Sequence, residues 1–162
     1  MHEQPIERDT GSEPAEPGQV DPAGLAVGAL GERMGLRMTH ASAVRVEGWL
    51  PVEGNTQPYG LLHGGASVVL AESLGSTGAA LHAGPGRIAV GVDINTTHHR
   101  SARHGRIHGV ATAVHRGRSL ASYEVVITDD AGLRVATARI TCMLRDAPQP
   151  GHVQPGQTRR AD

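Results

Sequence analysis

A stretch with almost no charge runs from position 64 to position 82, and it predicts a helix. It contains no proline and a single acidic residue, Glu72. Its apolar residues surround the whole helix circumference: Val68, Val69, Leu70, Leu74, Ala79, Ala80 and Leu81. A helix that is apolar on every side is buried. Gly75 and Gly78 each cost about 1 kcal/mol in a helix relative to alanine, which suggests that another backbone approaches closely.

Four segments that follow this helix predict β-strands, over 88–98, 105–115, 119–129 and 134–144. Before the helix, the pattern predicts a short helix over 22–30 and a strand over 38–50, where apolar and polar residues alternate. The turn sequences at 115–118 and 129–132 predict hairpins between consecutive strands. The chain is therefore predicted to adopt an α+β fold, an antiparallel β-sheet wrapped around one long central helix.

The two ends of the chain differ from its middle. Residues 1–20 and 147–162 are rich in proline, glycine and polar residues, which is typical of disordered tails, so one folded domain is expected over 21–146. A chain of 162 residues is long enough to bury a real core. Phenylalanine is absent. The core is therefore predicted to consist of Val, Leu, Ile, Ala and Met.

Charge and cysteine content limit the classes of function. A net charge of −1 and a pI near 6.8 give no reason to expect a nucleic-acid or membrane partner. The single cysteine, Cys142, excludes an internal disulfide and fits a reducing compartment. No apolar run reaches the roughly 18 residues that span a bilayer, and the first residues do not form a signal peptide. A cytoplasmic protein is expected.

Glu72 is the first candidate for chemistry. Desolvation raises the pKa of a carboxyl group, and such a group in a cleft is a candidate for a functional residue. The alternative is a glutamate that reaches the rim of the core or pairs with a buried cation. Arg45 is the only arginine or lysine within residues 38–86, so a partner close in sequence is missing. This favours the functional interpretation.

His63, Gly64 and Gly65 form the second candidate, at the start of the predicted helix. The first N–H groups of a helix lack intrahelical acceptors and lie at the positive end of its dipole. Glycine lets a ligand approach the backbone closely. These properties suit a developing oxyanion. The alternative is a tight loop in which His63 only caps or packs.

Gln57, His63, Gly64, Glu72 and Ser76, in this order and spacing, resemble the motif of the hotdog-fold acyl-CoA thioesterases. The resemblance is to the buried-glutamate branch that contains 4-hydroxybenzoyl-CoA thioesterase, near the 1,4-dihydroxy-2-naphthoyl-CoA hydrolases and the enterobactin proofreading thioesterases. Segments 91–100, 105–109 and 115–119 extend it to roughly residues 25–145.

The resemblance implies a role for each residue of this motif. Glu72 would attack the thioester carbonyl or activate water, and the N–H of Gly64 would donate to the oxyanion. Gln57 and His63 would hold the carbonyl or acyl end, and Ser76 would position the water. The sequence does not choose between a nucleophile and a general base.

The resemblance also implies contacts with coenzyme A. The matching residues are Gly91, His98, His99, Arg100, Ser101, His115, Arg116, Gly117, Arg118, Ser119 and Leu120. Their arginines suit phosphate groups, although solvated arginines in turns are the plain alternative. No cofactor or metal is expected. Neighbouring histidines on a strand face opposite ways, and the pair at 104 and 108 would lie roughly 13 Å apart.

Helix geometry predicts that two chains share each site. Gly64 and Glu72 are eight residues apart, about 12 Å along a helix, whereas a reacting group must lie within about 3.5 Å of the carbonyl carbon. Glu72 is therefore expected from a second copy whose helix runs antiparallel, with Gly75 and Gly78 easing the approach. The resemblance implies the same homodimer, often paired into tetramers.

The expected function is hydrolysis of an acyl-CoA, with an aromatic acyl group favoured by the resemblance. A thioesterase that proofreads an acyl carrier protein would keep the same catalytic residues. A hotdog hydratase or dehydratase would need a second catalytic pair, for which Asp93 and His98 are weak candidates. A non-catalytic acyl-binding dimer would be expected to lose Glu72.

Overall fold

The computed structural model describes residues 18–148 of the chain. Six strands form one antiparallel sheet in the order β1-β2-β4-β5-β6-β3, and the long helix α2 packs on one face of it. The elements are a 3₁₀ turn (Pro22–Gly24), α1 (Gly28–Met34), β1 (Arg37–Ala41), β2 (Arg45–Pro51), α2 (Gly64–Ala83), β3 (Arg87–His98), β4 (Arg106–Arg116), β5 (Leu120–Asp129) and β6 (Arg134–Asp146). The predicted α+β architecture is confirmed.

Helix α2 has one buried and one open face. The buried residues recur every three or four positions, as expected for one helix face: Ala66, Ser67, Leu70, Ala71, Leu74, Gly75, Gly78 and Ala79. On the other face Glu72 and Ala80 are exposed, and Val68, Val69 and Ser76 are half-buried. The prediction that α2 is buried on every side is wrong for the single chain. Both faces are apolar, but one sheet covers only one of them.

The glycines within α2 accommodate side chains of the chain's own sheet. A Cβ at Gly78 would lie 2.6 Å from Cε1 of Tyr123, and a Cβ at Gly75 would overlap Cγ2 of Ile140. The prediction that these glycines admit a second backbone is therefore wrong. Their small size lets α2 approach β5 and β6.

Tyr123 also corrects the predicted composition of the core. It is the largest fully buried side chain, and its hydroxyl donates to the carbonyl of Ala43 at 2.7 Å. Burial raises the pKa of Tyr123 to about 12. Methionine contributes less than expected, because Met34 and Met38 are only partly buried and Met143 is exposed.

The N-terminal boundaries differ from the predicted ones. The strand predicted over 38–50 is interrupted by a tight turn, in which Ser42 and Arg45 exchange hydrogen bonds. The result is the pair β1 and β2. The helix predicted over 22–30 is a 3₁₀ turn capped by Asp21 followed by α1, which begins at Gly28.

The four strands after α2 are confirmed to within two residues. Both predicted hairpin turns are present as well. The side chain of Asp129 accepts from the N–H groups of Ala131 and Leu133, and the N–H of Gly117 donates to the carbonyl of Leu120.

Most of the predicted tails lie outside the described residues. At the described margins, the N–H of Val20 donates to Ala41 and that of Ala147 donates to Gly86. These two residues pair with the folded domain, although they were assigned to the tails. Among residues 18–148 no helix is long and apolar enough to cross a membrane.

Candidate active site

One backbone N–H at the start of α2 is left without an acceptor. His63 is the N-cap of the helix, and its Nδ1 accepts from the N–H of Gly65 at 2.9 Å. The carbonyl of His63 accepts from the N–H of Ala66 at 2.8 Å. The N–H of Gly64, at the positive end of the helix dipole, donates to no group within residues 18–148. The capping role considered for His63 is confirmed, and its contact with substrate stays a prediction.

A cleft of about 370 Å³ adjoins this helix start. It lies between the loop that precedes α2, the segment that follows β3, and Val135 of β6. Six of the predicted site residues line it: Gln57, Gly64, His98, His99, Arg100 and Ser101. The rest of its wall consists of Leu61, Leu62, Ser67, Ala102 and Val135. The fold thus brings together residues that are more than 40 positions apart.

Hydrogen bonds fix the walls of the cleft. The N–H of Leu62 donates to the carbonyl of Ala102, which ties the loop to the segment after β3. The N–H groups of His99 and Arg100 both donate to the carbonyl of Val135. The cleft is therefore built into the backbone of the domain.

His98 lies at the start of α2, although the sequence grouped it with coenzyme A contacts. A Cβ at Gly64 would lie 3.0 Å from Nε2 of His98, so the imidazole ring lies directly against Gly64. The neighbouring His99 forms a hydrogen bond with Thr137 instead. No spacing in the sequence indicates this position, because it depends on how the end of β3 meets α2.

Glu72 lies two turns along α2, outside the cleft. It is exposed in the single chain, so the predicted desolvation is absent there. A Cβ at Gly91 would lie 3.4 Å from Oε1 of Glu72, which places the carboxylate over the irregular part of β3. Within the described residues Glu72 has no ion-pair partner.

Ser76, one turn beyond Glu72, contacts β6. Its Oγ lies 3.7 Å from Sγ of Cys142, which pairs with Gly91 across the sheet. Burial raises the pKa of the Cys142 thiol. The sequence assigned no site role to Cys142, because only the register of β6 beside β3 brings it there.

The second predicted segment for coenzyme A lies at the opposite end of α2. Nε2 of His82 is 3.0 Å from the carbonyl oxygen of Gly117, and Nη2 of Arg87 donates to the carbonyl of Arg118. The turn from His115 to Leu120 is thus separated from the cleft by the 20 residues of α2, about 30 Å. One chain alone does not join the two segments.

Comparison with known proteins assigns the family. The family model of the Thioesterase superfamily matches residues 59–136. The proofreading thioesterase EntH of Cronobacter turicensis is 41% identical over 117 residues, which cover 72% of this chain and 85% of that protein. This chain belongs to the thioesterase superfamily.

Solved structures agree with this assignment and show the hotdog fold. A thioesterase of Haemophilus influenzae has a TM-score of 0.71 at 30% identity, covering 76% of this chain and 87% of that one. A Staphylococcus aureus protein was solved as a glutamate-to-alanine mutant, with a TM-score of 0.71 at 31% identity, covering 73% and 99%. The same protein was solved as a glutamine-to-alanine mutant, with a TM-score of 0.70 at 30% identity, covering 72% and 98%. The chain is a thioesterase, a hydrolase that acts on thioesters.

Proposed function

We propose that this thioesterase hydrolyses an acyl-CoA, preferentially with an aromatic acyl group, to the free acid and coenzyme A. The active unit is a homodimer in which each site combines residues of both chains. One observation carries this proposal: the free N–H of Gly64 borders a cleft, while Glu72 is exposed on the same helix about 12 Å away. The two groups suit one reaction only if they come from different chains.

The open surface of the chain supports this dimer. The apolar face of α2 around Glu72 is uncovered, and β3 is an edge strand with Val90 and Val92 39% and 53% exposed. Unpaired edge strands readily pair with another chain. A two-fold axis that sets two α2 helices antiparallel would cover both surfaces at once. Pairing of dimers into tetramers stays a prediction.

The same arrangement unites the two segments predicted to bind coenzyme A. Antiparallel helices bring the C-terminal end of one α2 toward the start of the other. The turn from His115 to Leu120 of one chain would then approach the cleft of its partner, where Arg100 lies. Arg116 and Arg118 on that turn are exposed, and guanidinium groups suit the phosphates of coenzyme A.

The chemistry uses the two groups in turn. The thioester carbonyl oxygen accepts a hydrogen bond from the N–H of Gly64, which stabilises negative charge on that oxygen. Glu72 of the partner subunit either attacks the carbonyl carbon or takes a proton from an attacking water. In the first route coenzyme A leaves as a thiolate. Water then hydrolyses the anhydride between Glu72 and the acyl group, which releases the acid, frees Glu72 and gives the thiolate its proton. In the second route water adds to the carbonyl carbon, the carbon–sulfur bond breaks, and the sulfur takes the proton held by Glu72. Both routes require Glu72, and Ser76, one turn beyond Glu72 on α2, orients the water.

The spacing of two residues in one relative supports a shared role for Gln57 and Glu72. The glutamine and the glutamate that were replaced in the Staphylococcus aureus protein are 15 positions apart. Gln57 and Glu72 have the same separation. Gln57 borders the cleft, where its amide can hold the acyl end.

A second candidate substrate is an acyl carrier protein that carries a wrong acyl group. The relative from Cronobacter turicensis is a proofreading thioesterase, which favours this candidate. The hydratase alternative loses support, because Asp93 and His98 are five residues apart on β3 and so face opposite sides of the strand. A cytoplasmic location stays a prediction.

Hydrolysis rates over a panel of substrates test the proposal. The panel contains aryl-CoA and alkyl-CoA esters and the same acyl groups on a carrier protein. Aryl-CoA is expected to give the highest kcat/KM, and Glu72→Gln is expected to lower kcat at least 1,000-fold, by more than about 4 kcal/mol of transition-state stabilisation. Asp93→Asn, which removes an exposed carboxylate elsewhere on β3, is the matched control. A Glu72→Gln enzyme with more than about a tenth of the wild-type kcat would contradict the mechanism.

A further inference from the structure

The cleft contains a buried hydroxyl group to which no role has been assigned. Ser67 lines the cleft and is 1% exposed. Its Oγ has no hydrogen-bond partner within residues 18–148. A serine in a helix commonly donates to the carbonyl four residues earlier, which would be that of His63, but Ser67 does not. The O–H of Ser67 is therefore free to donate a hydrogen bond to a ligand in the cleft.

An unpaired buried hydroxyl destabilises a folded protein, so its presence beside a cleft is informative. Three apolar residues of the same cleft, Leu62, Ala102 and Val135, are also buried. His63 already satisfies the N–H groups of Gly65 and Ala66. The start of α2 therefore presents two free donors to the cleft, the N–H of Gly64 and the O–H of Ser67.

The spacing of these donors suits a single acceptor. Residues three apart lie on the same helix face, and their axial separation is about 4.5 Å. One oxygen atom at about 2.9 Å from each donor can join groups up to about 5.8 Å apart. Sites that stabilise an oxyanion commonly combine a backbone N–H with a side-chain donor.

We propose that the Ser67 hydroxyl is the second donor to the thioester carbonyl oxygen, so that Gly64 and Ser67 together hold the oxyanion. This inference rests on the proposed function. Ser67 keeps its proton and forms no covalent bond with the acyl group. It is a catalytic residue through this one hydrogen bond, which strengthens as charge develops on the oxygen.

The substitution Ser67→Ala tests this role against a structural one. Alanine removes the unpaired hydroxyl and favours the helix, so the urea midpoint of unfolding should stay unchanged or rise. The kcat should nevertheless fall about 100-fold, with KM changed less than about threefold. Thr96→Val is the matched control, because Thr96 Oγ1 is also buried without a partner but does not line the cleft. It should leave kcat unchanged.

A spectroscopic measurement separates this inference from the proposed function. An acyl-CoA labelled with ¹³C at the carbonyl is bound to Glu72→Gln, and its infrared carbonyl stretch is recorded with and without Ser67→Ala. Loss of a hydrogen bond should move the stretch to higher frequency, whether or not the wild-type protein hydrolyses that ester. An unmoved stretch, a wild-type kcat in Ser67→Ala, or a kcat loss accompanied by a lower unfolding midpoint would each overturn the role of Ser67. Absence of hydrolysis by the wild-type protein would instead defeat the proposed function.

Discussion

At the scale of single residues, the side chain of His63 determines which donor remains free at the start of α2. Its Nδ1 accepts from the N–H of Gly65 and its carbonyl accepts from the N–H of Ala66. The N–H of Gly64, a residue that lines the cleft, is left without an acceptor in the described part of the chain. Gly64 is the first residue of the helix, where an N–H has no intrahelical acceptor. The part that Gly64 plays in holding the oxyanion therefore depends on one hydrogen atom.

Gly64→Pro removes that hydrogen atom and keeps the helix. Proline is favoured at the first helical position, and the extended backbone of His63 (ψ 129°) is the conformation that precedes proline. Gly64→Ala is the matched control, because it adds a Cβ 3.0 Å from Nε2 of His98 and keeps the N–H. The kcat of Gly64→Pro should be about 100-fold below that of Gly64→Ala. Equal values, with helix content preserved by circular dichroism, would remove the N–H of Gly64 from the mechanism.

Tyr123 provides a prediction about pH. Its pKa is raised from 10.0 to about 12, chiefly by burial, so the folded state holds the phenolic proton where the unfolded state has lost it. This stabilisation is present in full below pH 10 and is lost as the pH rises toward 12. Relative to Tyr123→Phe, the free energy of unfolding should fall by about 1.4 kcal/mol per pH unit in that window. A difference between the two proteins that does not change from pH 9 to pH 12 would show that Tyr123 titrates normally.

Sequence reasoning identified some of these residues and missed others for a physical reason. Glu72 stands out because it is an acidic residue within an apolar helix. Gly64 stands out because it is a glycine at the start of that helix. Ser67 and Cys142 do not stand out, and His98 stands out only as a predicted contact of coenzyme A and a weak hydratase candidate. Their importance arises from contacts between α2, β3 and β6, and from a missing hydrogen-bond partner, none of which has a signature in spacing.

At the scale of elements, α2 has two apolar faces, and only one of them is covered by the chain's own sheet. The face that carries Gly75 and Gly78 packs on β5 and β6, and the face that carries Glu72 is open. A pattern of apolar residues around a helix predicts that it is covered, but it does not say which neighbour covers each side. The long strands after α2 were predictable because strong turn signals bound them. The division of the segment 38–50 into two strands was not predictable, because the turn at Ser42 depends on side-chain hydrogen bonds.

Gly78→Ala tests the packing of this helix on its own sheet. The added Cβ would lie 2.6 Å from Cε1 of Tyr123, so the overlap should outweigh the gain of about 1 kcal/mol in helix propensity. The free energy of unfolding should fall by about 1–3 kcal/mol in urea. Gly24→Ala, where an added Cβ meets nothing within 4 Å, is the control and should change it by less than about 0.5 kcal/mol. A stable Gly78→Ala variant that has lost its self-association would instead place Gly78 between two chains.

At the scale of the whole molecule, the single chain keeps the groups of the proposed site apart. The cleft with Gly64 lies at one end of α2, Glu72 lies two turns along it, and the turn from His115 to Leu120 lies at the far end. Helix geometry alone predicted the separation of Gly64 from Glu72. The position of the turn from His115 to Leu120 could not be predicted from the sequence, because it depends on how the β4–β5 hairpin meets the end of α2.

Complementation between two inactive chains measures the shared site most directly. Chains with Glu72→Ala and chains with Gly64→Pro are unfolded together in equal amounts and refolded. In a mixed dimer, one site takes Gly64 from the first chain and Glu72 from the second, and the other site carries both substitutions. Random pairing makes about half of the dimers mixed, so activity should recover to about a quarter of the wild-type value per site. Activity that stays at the level of the single variants, although mixed dimers are shown to form, would place both groups in one chain and contradict the two-chain active site.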